Sequence, residues 1–145
     1  YVHDEAAAFV GGVSGNAGLF STTHDLAVIF QMLLDRGICG DRRYLSRATC
    51  DLFMGMKAKN SRRGLGFDKP DVESDDNSPC APEAPASVFG HTGFTGTCVW
   101  VDPDNELVFV FLSNRTYPVA FGHDNLMKLD IRSRIQQAMY QSIMY

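Results

Sequence analysis

No stretch of the 145 residues approaches the roughly 20 consecutive apolar positions that a membrane-spanning helix needs, and the N-terminus lacks a basic-then-apolar leader. No membrane span is therefore expected. The opening Tyr1-Val2-His3, without an initiator Met, reads as the start of an excised piece, so the missing leader says little about location. Positive charge is scarce as well. With 13 Lys and Arg against 17 Asp and Glu, the net charge of -4 provides no electrostatic footprint for nucleic acid or an anionic membrane. Small molecules and protein surfaces are the partners that remain. The four cysteines, Cys39, Cys50, Cys80 and Cys98, make no Cys-x-x-Cys pair and have no His at zinc-site spacing, so neither a metal nor another cofactor is expected. They read as free, mostly buried thiols, with one disulfide as the alternative. No internal repeat and no heptad array is present, which excludes solenoids and coiled coils.

What is present suits one packed domain, with 45% apolar residues. The Ala- and Gly-rich opening to Ser21, with Gly11-Gly12 and Gly15-Asn16-Ala17-Gly18, suits a close-packed loop better than a long helix. From Thr23 or His24 to Arg36 the pattern is helical, with Leu26, Ile29, Phe30, Leu33 and Leu34 on one stripe, caps at Ser21 to Thr23 and Gly37 as the stop. A shorter helix is expected from Arg47 to Met54, capped by Ser46, with Ala48, Leu52 and Phe53 inward. Residues 68–85 carry Asp71, Glu73, Asp75, Asp76 and several prolines but few large apolar groups, and are expected to form an acidic, mobile surface insertion.

Strands follow at Ser87 to Gly90, Gly96 to Val101 and Glu106 to Ser113, the last two joined as a hairpin by Asp102-Pro103-Asp104-Asn105. Because Leu107 to Leu112 is continuously apolar, both faces of that strand should be covered, which implies helices on both sides of the sheet. A last helix is expected from Asp124 to Ile143. Its buried stripe would be Met127, Ile131, Ile135, Ala138, Met139 and Ile143, with Asp124–Lys128 and Asp130–Arg134 pairs supporting it.

The segment from Val88 through Phe89-Gly90-His91-Thr92-Gly93-Phe94-Thr95 to Gly96 carries the chemistry. It places a hydroxyl, an imidazole and three glycines where a strand begins, and glycine at that density lets a ligand approach the backbone. Backbone N–H groups beside Thr92 could bind a developing oxyanion, and His91 could supply a donor or a proton. The plain alternative is a strand edge with a satisfied histidine.

Together with Gly11-Gly12-Val13-Ser14-Gly15-Asn16-Ala17-Gly18-Leu19-Phe20-Ser21-Thr22, the later Gly64-Leu65-Gly66-Phe67 and the hairpin, this segment resembles the C-terminal half of the β-lactamase-related family, over Val2 to about Pro118. That family comprises class C β-lactamases, D-alanyl-D-alanine peptidases (penicillin-binding proteins) and related esterases. Its members use a Ser-x-x-Lys nucleophile, a Tyr-x-Asn or Ser-x-Asn element and a Lys-Thr-Gly or His-Thr-Gly strand. By this resemblance His91, Thr92 and Gly93 stand on the inner edge strand of a catalytic cleft. The N–H of Phe94 would be an oxyanion donor, and Thr92 would bond a substrate carboxylate or carbonyl. An imidazole attracts a substrate carboxylate less than an ammonium does, so esterase or peptidase chemistry is favoured over efficient β-lactamase action.

The departures matter. No serine has a Lys three positions on and no tyrosine has an Asn two positions on, so the nucleophile and its usual base are absent from this chain. Ser14-Gly15-Asn16 matches Ser-x-Asn, but the Gly-rich loop lies after that element in the family and serves packing. His3, Asp4, His24 and Asp25 are expected to be structural. His123 has no cluster at ligand spacing, and Trp100 belongs to the core. Asn114-Arg115 reads as a solvated turn, with the cleft rim as the alternative.

The expectation is an α/β fold of the α+β type: a mainly antiparallel sheet flanked by helices, β-lactamase/transpeptidase-like and incomplete. Residues 1–145 would be the C-terminal part of one domain. The resemblance implies a serine hydrolase acting by acyl transfer on amide, β-lactam or ester bonds, inactive without its missing N-terminal half, in the periplasm or cell envelope. Its substrates would be small molecules or cell-wall peptides and glycans. The rival reading is a non-catalytic accessory or binding module, such as one fused to an N-acetylglucosaminidase-type glycoside hydrolase. Uncovered apolar faces of a partial domain could also drive homo-oligomerisation.

Overall fold

The hairpin around Asp102-Pro103-Asp104-Asn105 forms the centre of the fold, in a computed structural model that describes residues 4–15, 17–55, 57–71, 78–119, 122 and 124–143. Strand β4 (Cys98–Asp102) lies between β3 (Phe89–Thr92) and β5 (Leu107–Phe111) in an antiparallel three-stranded sheet. The register sets Gly90 opposite Trp100 and His91 opposite Val99, then Trp100 opposite Phe109 on the far side. A small ribbon, β1 (Ile38–Cys39) with β2 (Arg42–Arg43), follows the first long helix.

Side chains alternate across the sheet, so two cores form. On one face Phe89 and Val101 pack with Val108, with Phe30, Leu33 and Leu34 of helix α2 (Thr23–Leu34), and with Cys50 and Met54 of helix α3 (Arg47–Gly55). On the other, Cys98, Trp100 and Phe109 pack with Cys80, Ala81, Ala84 and Val88, and with Met139 and Tyr140 of helix α5 (Ile131–Ile143). The continuously apolar β5 thus has a helix on each side, as its sequence requires. Trp100 is 1% exposed, and burying a side chain of that size stabilises the fold by about 3 kcal/mol. Gly90 is needed beside it: a Cβ there would overlap the Val99 carbonyl oxygen and Trp100 itself.

The Gly-rich opening is mostly loop, with one short helix, α1 (Glu5–Phe9), capped by Asp4, whose Oδ1 accepts the Ala7 N–H at 2.7 Å. Thr22 caps α2 in the same way, accepting the Asp25 N–H at 3.1 Å. The expected helix faces need correction. In α2, Ile29 points outward. In α3 the inward pair is Cys50 and Met54, while Ala48, Leu52 and Phe53 are exposed. Both pairs, Cys50/Met54 and Ala48/Leu52, recur at the four-residue spacing of one helix face, so the choice of face is made by the sheet and not by the helix.

The last helix is also two pieces. Helix α4 (Asn125–Lys128) ends at Leu129, and Asp130, at a φ of 48°, starts α5 by accepting from Ser133 Oγ at 2.8 Å. The Asp124–Lys128 pair forms at 3.7 Å, but Asp130 serves this turn instead of pairing with Arg134. The buried positions of α5 are Ser133, Gln136 and Tyr140, with Met139 partly covered, while Met127, Ile135, Ala138 and Ile143 are exposed. Hydrogen bonds fix this rotation. Gln136 Oε1 accepts the Ala81 N–H at 2.9 Å, Gln137 Nε2 donates to Glu83 at 3.0 Å, and the Tyr140 hydroxyl donates to Asp102 at 2.8 Å.

The two ends of the surface insertion expected at 68–85 belong to the packed fold. Asp68, Lys69 and Pro70 are buried at its start, and Cys80, Ala81 and Ala84 are core residues at its end. Small side chains compensate here for the missing large ones, because α5 supplies side-chain partners to the backbone. Residues 72–77, with Glu73, Asp75 and Asp76, lie outside the described residues. The cysteines are free, with Cys50, Cys80 and Cys98 buried. No helix among the described residues is long and apolar enough to cross a membrane.

Candidate active site

Strand β3 is core at one end and surface at the other: Phe89 and Gly90 are buried, His91 is exposed and Thr92 is half-buried. The change occurs because β3 is outermost in its sheet and the chain bends after Thr92. The Gly93 N–H donates to the Thr97 carbonyl at 2.7 Å and the Gly96 N–H to the Gly93 carbonyl at 3.0 Å. Gly96 takes a φ of 98°, and a Cβ there would stand 2.5 Å from both Leu126 and Ser113 Oγ, so only glycine closes this turn.

His91, Thr92 and Gly93 line an open cleft of about 710 Å³. Leu19, Phe20, Leu26 and Phe30 form an apolar wall, and Ser113, Asn114 and Thr116 a polar one. Arg115 ties the segment after β5 to the turn after β3. Its N–H donates to the Thr95 carbonyl at 2.9 Å, its Nε donates to the Phe94 carbonyl at 2.6 Å, and its guanidinium lies over the exposed Phe94 ring at 4.6 Å. Asn114-Arg115 is therefore a brace at the cleft, not a solvated turn.

Sequence reasoning missed the neighbours of His91. The Arg62-Arg63-Gly64-Leu65-Gly66-Phe67-Asp68 segment lies against β3. Phe67 meets Phe89 edge-on at 5.0 Å, and Asp68 and Gly90 exchange backbone hydrogen bonds at 2.8 and 3.1 Å. Asp68 is buried, yet it holds two arginines: Arg62 Nε at 2.8 Å and Arg63 Nη2 at 3.5 Å. From there Arg63 Nη1 reaches His91 Nε2, while His91 Nδ1 lies 2.6 Å from the Thr92 carbonyl oxygen. A carbonyl only accepts and a guanidinium only donates, so this pair of contacts fits the tautomer with its proton on Nδ1 and the Nε2 lone pair turned to Arg63. The doubled arginine ahead of Gly64-Leu65-Gly66-Phe67 was the one signal in the sequence that could have drawn attention to it.

Other groups are set aside by their surroundings. Burial pushes the Cys98 thiol up to about 11, despite the opposing charge of Arg132, and burial pushes Cys80 up further. Neither is a ready nucleophile at neutral pH. Burial, with Lys57 adding to it, lowers the Lys69 ammonium below its ordinary value. Lys69 donates to the Met54 carbonyl at 2.8 Å, away from the residues that line the cleft. Asp4 and Asp25 belong to helix N-termini and His24 is exposed on α2. Ser14 is not among the cleft-lining residues, and its N–H bonds the Ala17 carbonyl at 2.9 Å. His3, Asn16 and His123 lie outside the described residues. Among the described residues no group of three or more His, Cys, Asp or Glu could hold a metal ion.

The chain has relatives among known proteins. The beta-lactamase family model matches residues 1–131. The chain belongs to the beta-lactamase family. A putative D-alanyl-D-alanine carboxypeptidase of Escherichia coli O157:H7 is 40% identical over 130 residues, covering 86% of this chain and 29% of that protein. A protein of the same description from Salmonella gallinarum is 40% identical over 125 residues, 82% of this chain and 28% of its own length. The chain thus spans less than a third of the curated relatives it matches. Among solved structures, a beta-lactamase from Mycobacterium bovis superposes with a TM-score of 0.62 at 24% identity, over 84% of this chain and 44% of that one. This likeness establishes the beta-lactamase-like fold of mixed helix and antiparallel sheet.

Proposed function

We propose that this beta-lactamase-family chain supplies the His-Thr-Gly side of an acyl-transfer cleft acting on peptides that end in D-alanine. The observation that carries the reading is the exposed end of β3, where His91, Thr92 and Gly93 line the cleft while Phe89 and Gly90 anchor the strand in the core. The relatives' description as putative D-alanyl-D-alanine carboxypeptidases supports a peptide amide over a β-lactam or ester as the bond cleaved.

In this reading a serine outside the chain attacks the carbonyl of the penultimate residue. The developing oxyanion is met by backbone N–H groups, with Phe94 as one donor. The tetrahedral adduct collapses by breaking the C–N bond and expelling free D-alanine, and water then releases the acyl group from the serine. Thr92 bonds the substrate backbone, and His91 lines the site beside the reacting serine. The chain alone performs none of this, because no serine in it has a Lys three positions on. A cell-envelope location fits such a substrate.

The test is release of D-alanine from an N-acylated peptide ending in D-Ala-D-Ala. The polypeptide that carries this chain together with a Ser-x-x-Lys serine should release it, and this chain alone should not. Release by neither would overturn the reading, and release by this chain alone would overturn the assignment of the nucleophile.

A further inference from the structure

The cleft occupies one end of the sheet, at Thr92 and Cys98, and a second cavity lies at the other, at Ser87 and Pro103. It is an opening of about 290 Å³ where the end of α2 and the second half of α3 meet the start of β3 and the β4–β5 turn. We infer that this cavity binds a free α-amino acid as its zwitterion, with the carboxylate on Lys69 and Arg36 and the ammonium on Asp104. The inference goes beyond the acyl-transfer reading and does not depend on it.

Lys69 lines this cavity and is only 5% exposed. Its Nζ donates to two main-chain carbonyls, Met54 at 2.8 Å and Ser87 at 3.4 Å. An ammonium has three N–H groups, so these two acceptors leave one donor over, and being neutral they leave the charge unmatched. None of the ion pairs among the described residues includes Lys69. A buried cation in that state is costly, and burial, with Lys57 adding to it, lowers this ammonium accordingly. A carboxylate entering the cavity would supply both the missing acceptor and the missing charge.

The walls carry charge of both signs. On the helical side Arg36 engages Asp51 through Nη1 at 3.1 Å, and a guanidinium has further donors to offer. On the sheet side the exposed Asp104 accepts the Ser87 hydroxyl at 2.7 Å through Oδ2, and a carboxylate accepts more than one bond. A simple anion would meet the charges of Asp51 and Asp104, and a simple cation that of Lys69. A molecule carrying both charges answers both. Met54, Ala86 and Pro103 add apolar lining, which suits a short aliphatic side chain. The volume is at the low end of the roughly 300–1,000 Å³ usual for small-molecule sites, which favours an amino acid over a nucleotide or an oligosaccharide. D-Alanine, the leaving group of the proposed reaction, is one molecule of this class.

The test is a titration of this chain with D-alanine and with L-alanine, followed through the backbone amide NMR signals of Lys69, Ser87 and Asp104, with those of Thr92 and Gly93 reporting on the cleft. The N-acetyl derivative of each, which lacks the ammonium, and the amide of each, which lacks the carboxylate, are the comparison ligands. The inference expects at least one alanine to shift the first three signals and to bind about tenfold or more tightly than either of its derivatives, since each derivative loses one charge-assisted contact. Asp104→Asn keeps an acceptor for Ser87 and removes the charge at an exposed position, so it should bring that alanine and its N-acetyl derivative to near-equal affinity. Lys69→Met should abolish binding. Binding of neither alanine, derivatives that bind as well as the parent, or shifts at the cleft in place of the cavity would each overturn the inference. The wild-type titration decides this even if Lys69→Met fails to fold. Because the titration needs no serine, its outcome is separate from that of D-alanine release by the serine-bearing polypeptide.

Discussion

Two carboxylates are buried beside the sheet, and their surroundings differ in kind. Asp102, at the hairpin end, accepts from neutral donors: the Tyr140 hydroxyl at 2.8 Å, the backbone N–H groups of Asp104 and Asn105 at 2.9 and 3.2 Å, and Asn105 Nδ2 at 2.8 Å. Asp68, at the cleft end, is paired with two arginines that are themselves part-exposed. The Tyr140 hydroxyl and the two backbone N–H groups each spend their one proton on the carboxylate, so the arrangement around Asp102 is closed and holds structure. Guanidinium groups carry more donors than one carboxylate can accept, so the arrangement around Asp68 is open and presents charge at the surface. One carboxylate locks α5 to the hairpin, and the other aims Arg63 at His91.

The contrast breaks most visibly at Asp102. Asp102→Ala should lower stability by about 3 kcal/mol, because it strands a buried hydroxyl and two turn N–H groups, and urea denaturation should register this as a lower midpoint. A loss under about 1 kcal/mol would mean that water replaces the carboxylate and that this end is not closed.

The core between the sheet and α5 should also weaken in alkali. Burial raises the Cys98 thiol from 9.0 to about 11, and raises Cys80 and Tyr140 too, the Asp102 hydrogen bond and charge adding to burial at Tyr140. An acid whose folded pKa is raised keeps its proton in the native state after the unfolded chain has lost it. Stability therefore falls as pH climbs from about 9 to about 11, by about 1.4 kcal/mol per pH unit for Cys98 alone. Lys69, whose value is lowered, works in the opposite sense just below 10.5. Denaturation midpoints between pH 8 and pH 11 should fall, with Cys98→Ala flattening the slope. A flat wild-type profile would count against the packed thiols.

Asp68→Asn should be milder, near 1 kcal/mol, since part-exposed arginines regain water. His91→Ala should cost the least stability, about 0.5 kcal/mol or less, while depressing turnover in the serine-bearing polypeptide about tenfold or more. Proportional loss of folding and turnover would remove the catalytic role proposed for His91.

The legibility of the molecule divides along similar lines. The β4–β5 hairpin was readable because its signals are local: alternation, an apolar run and a turn of Asp, Pro and Asn. The end of β3 after His91 and Thr92 was readable because Gly93 and Gly96 mark the turn that stops the strand. The faces of α3 and α5 were not, since periodicity identifies a helix but leaves its rotation to the partner, and the partner of α5 is a polar set: Ala81 N–H, Glu83 and Asp102. Residues 78–85 misled for the same reason, because their burial depends on side chains more than fifty positions away. Arg63 meets His91 across 28 residues, and no local pattern announces such a contact.

The most direct measurement is the intact mass of the serine-bearing polypeptide after incubation with a fluorescent penicillin, beside this chain treated alike. An adduct of one penicillin on the former and none on the latter is the result expected of a cleft whose His-Thr-Gly wall lies here and whose nucleophile lies elsewhere. An unmodified mass for both, with no release of D-alanine from the peptide, would contradict acyl transfer and turn the cleft into a binding surface without turnover.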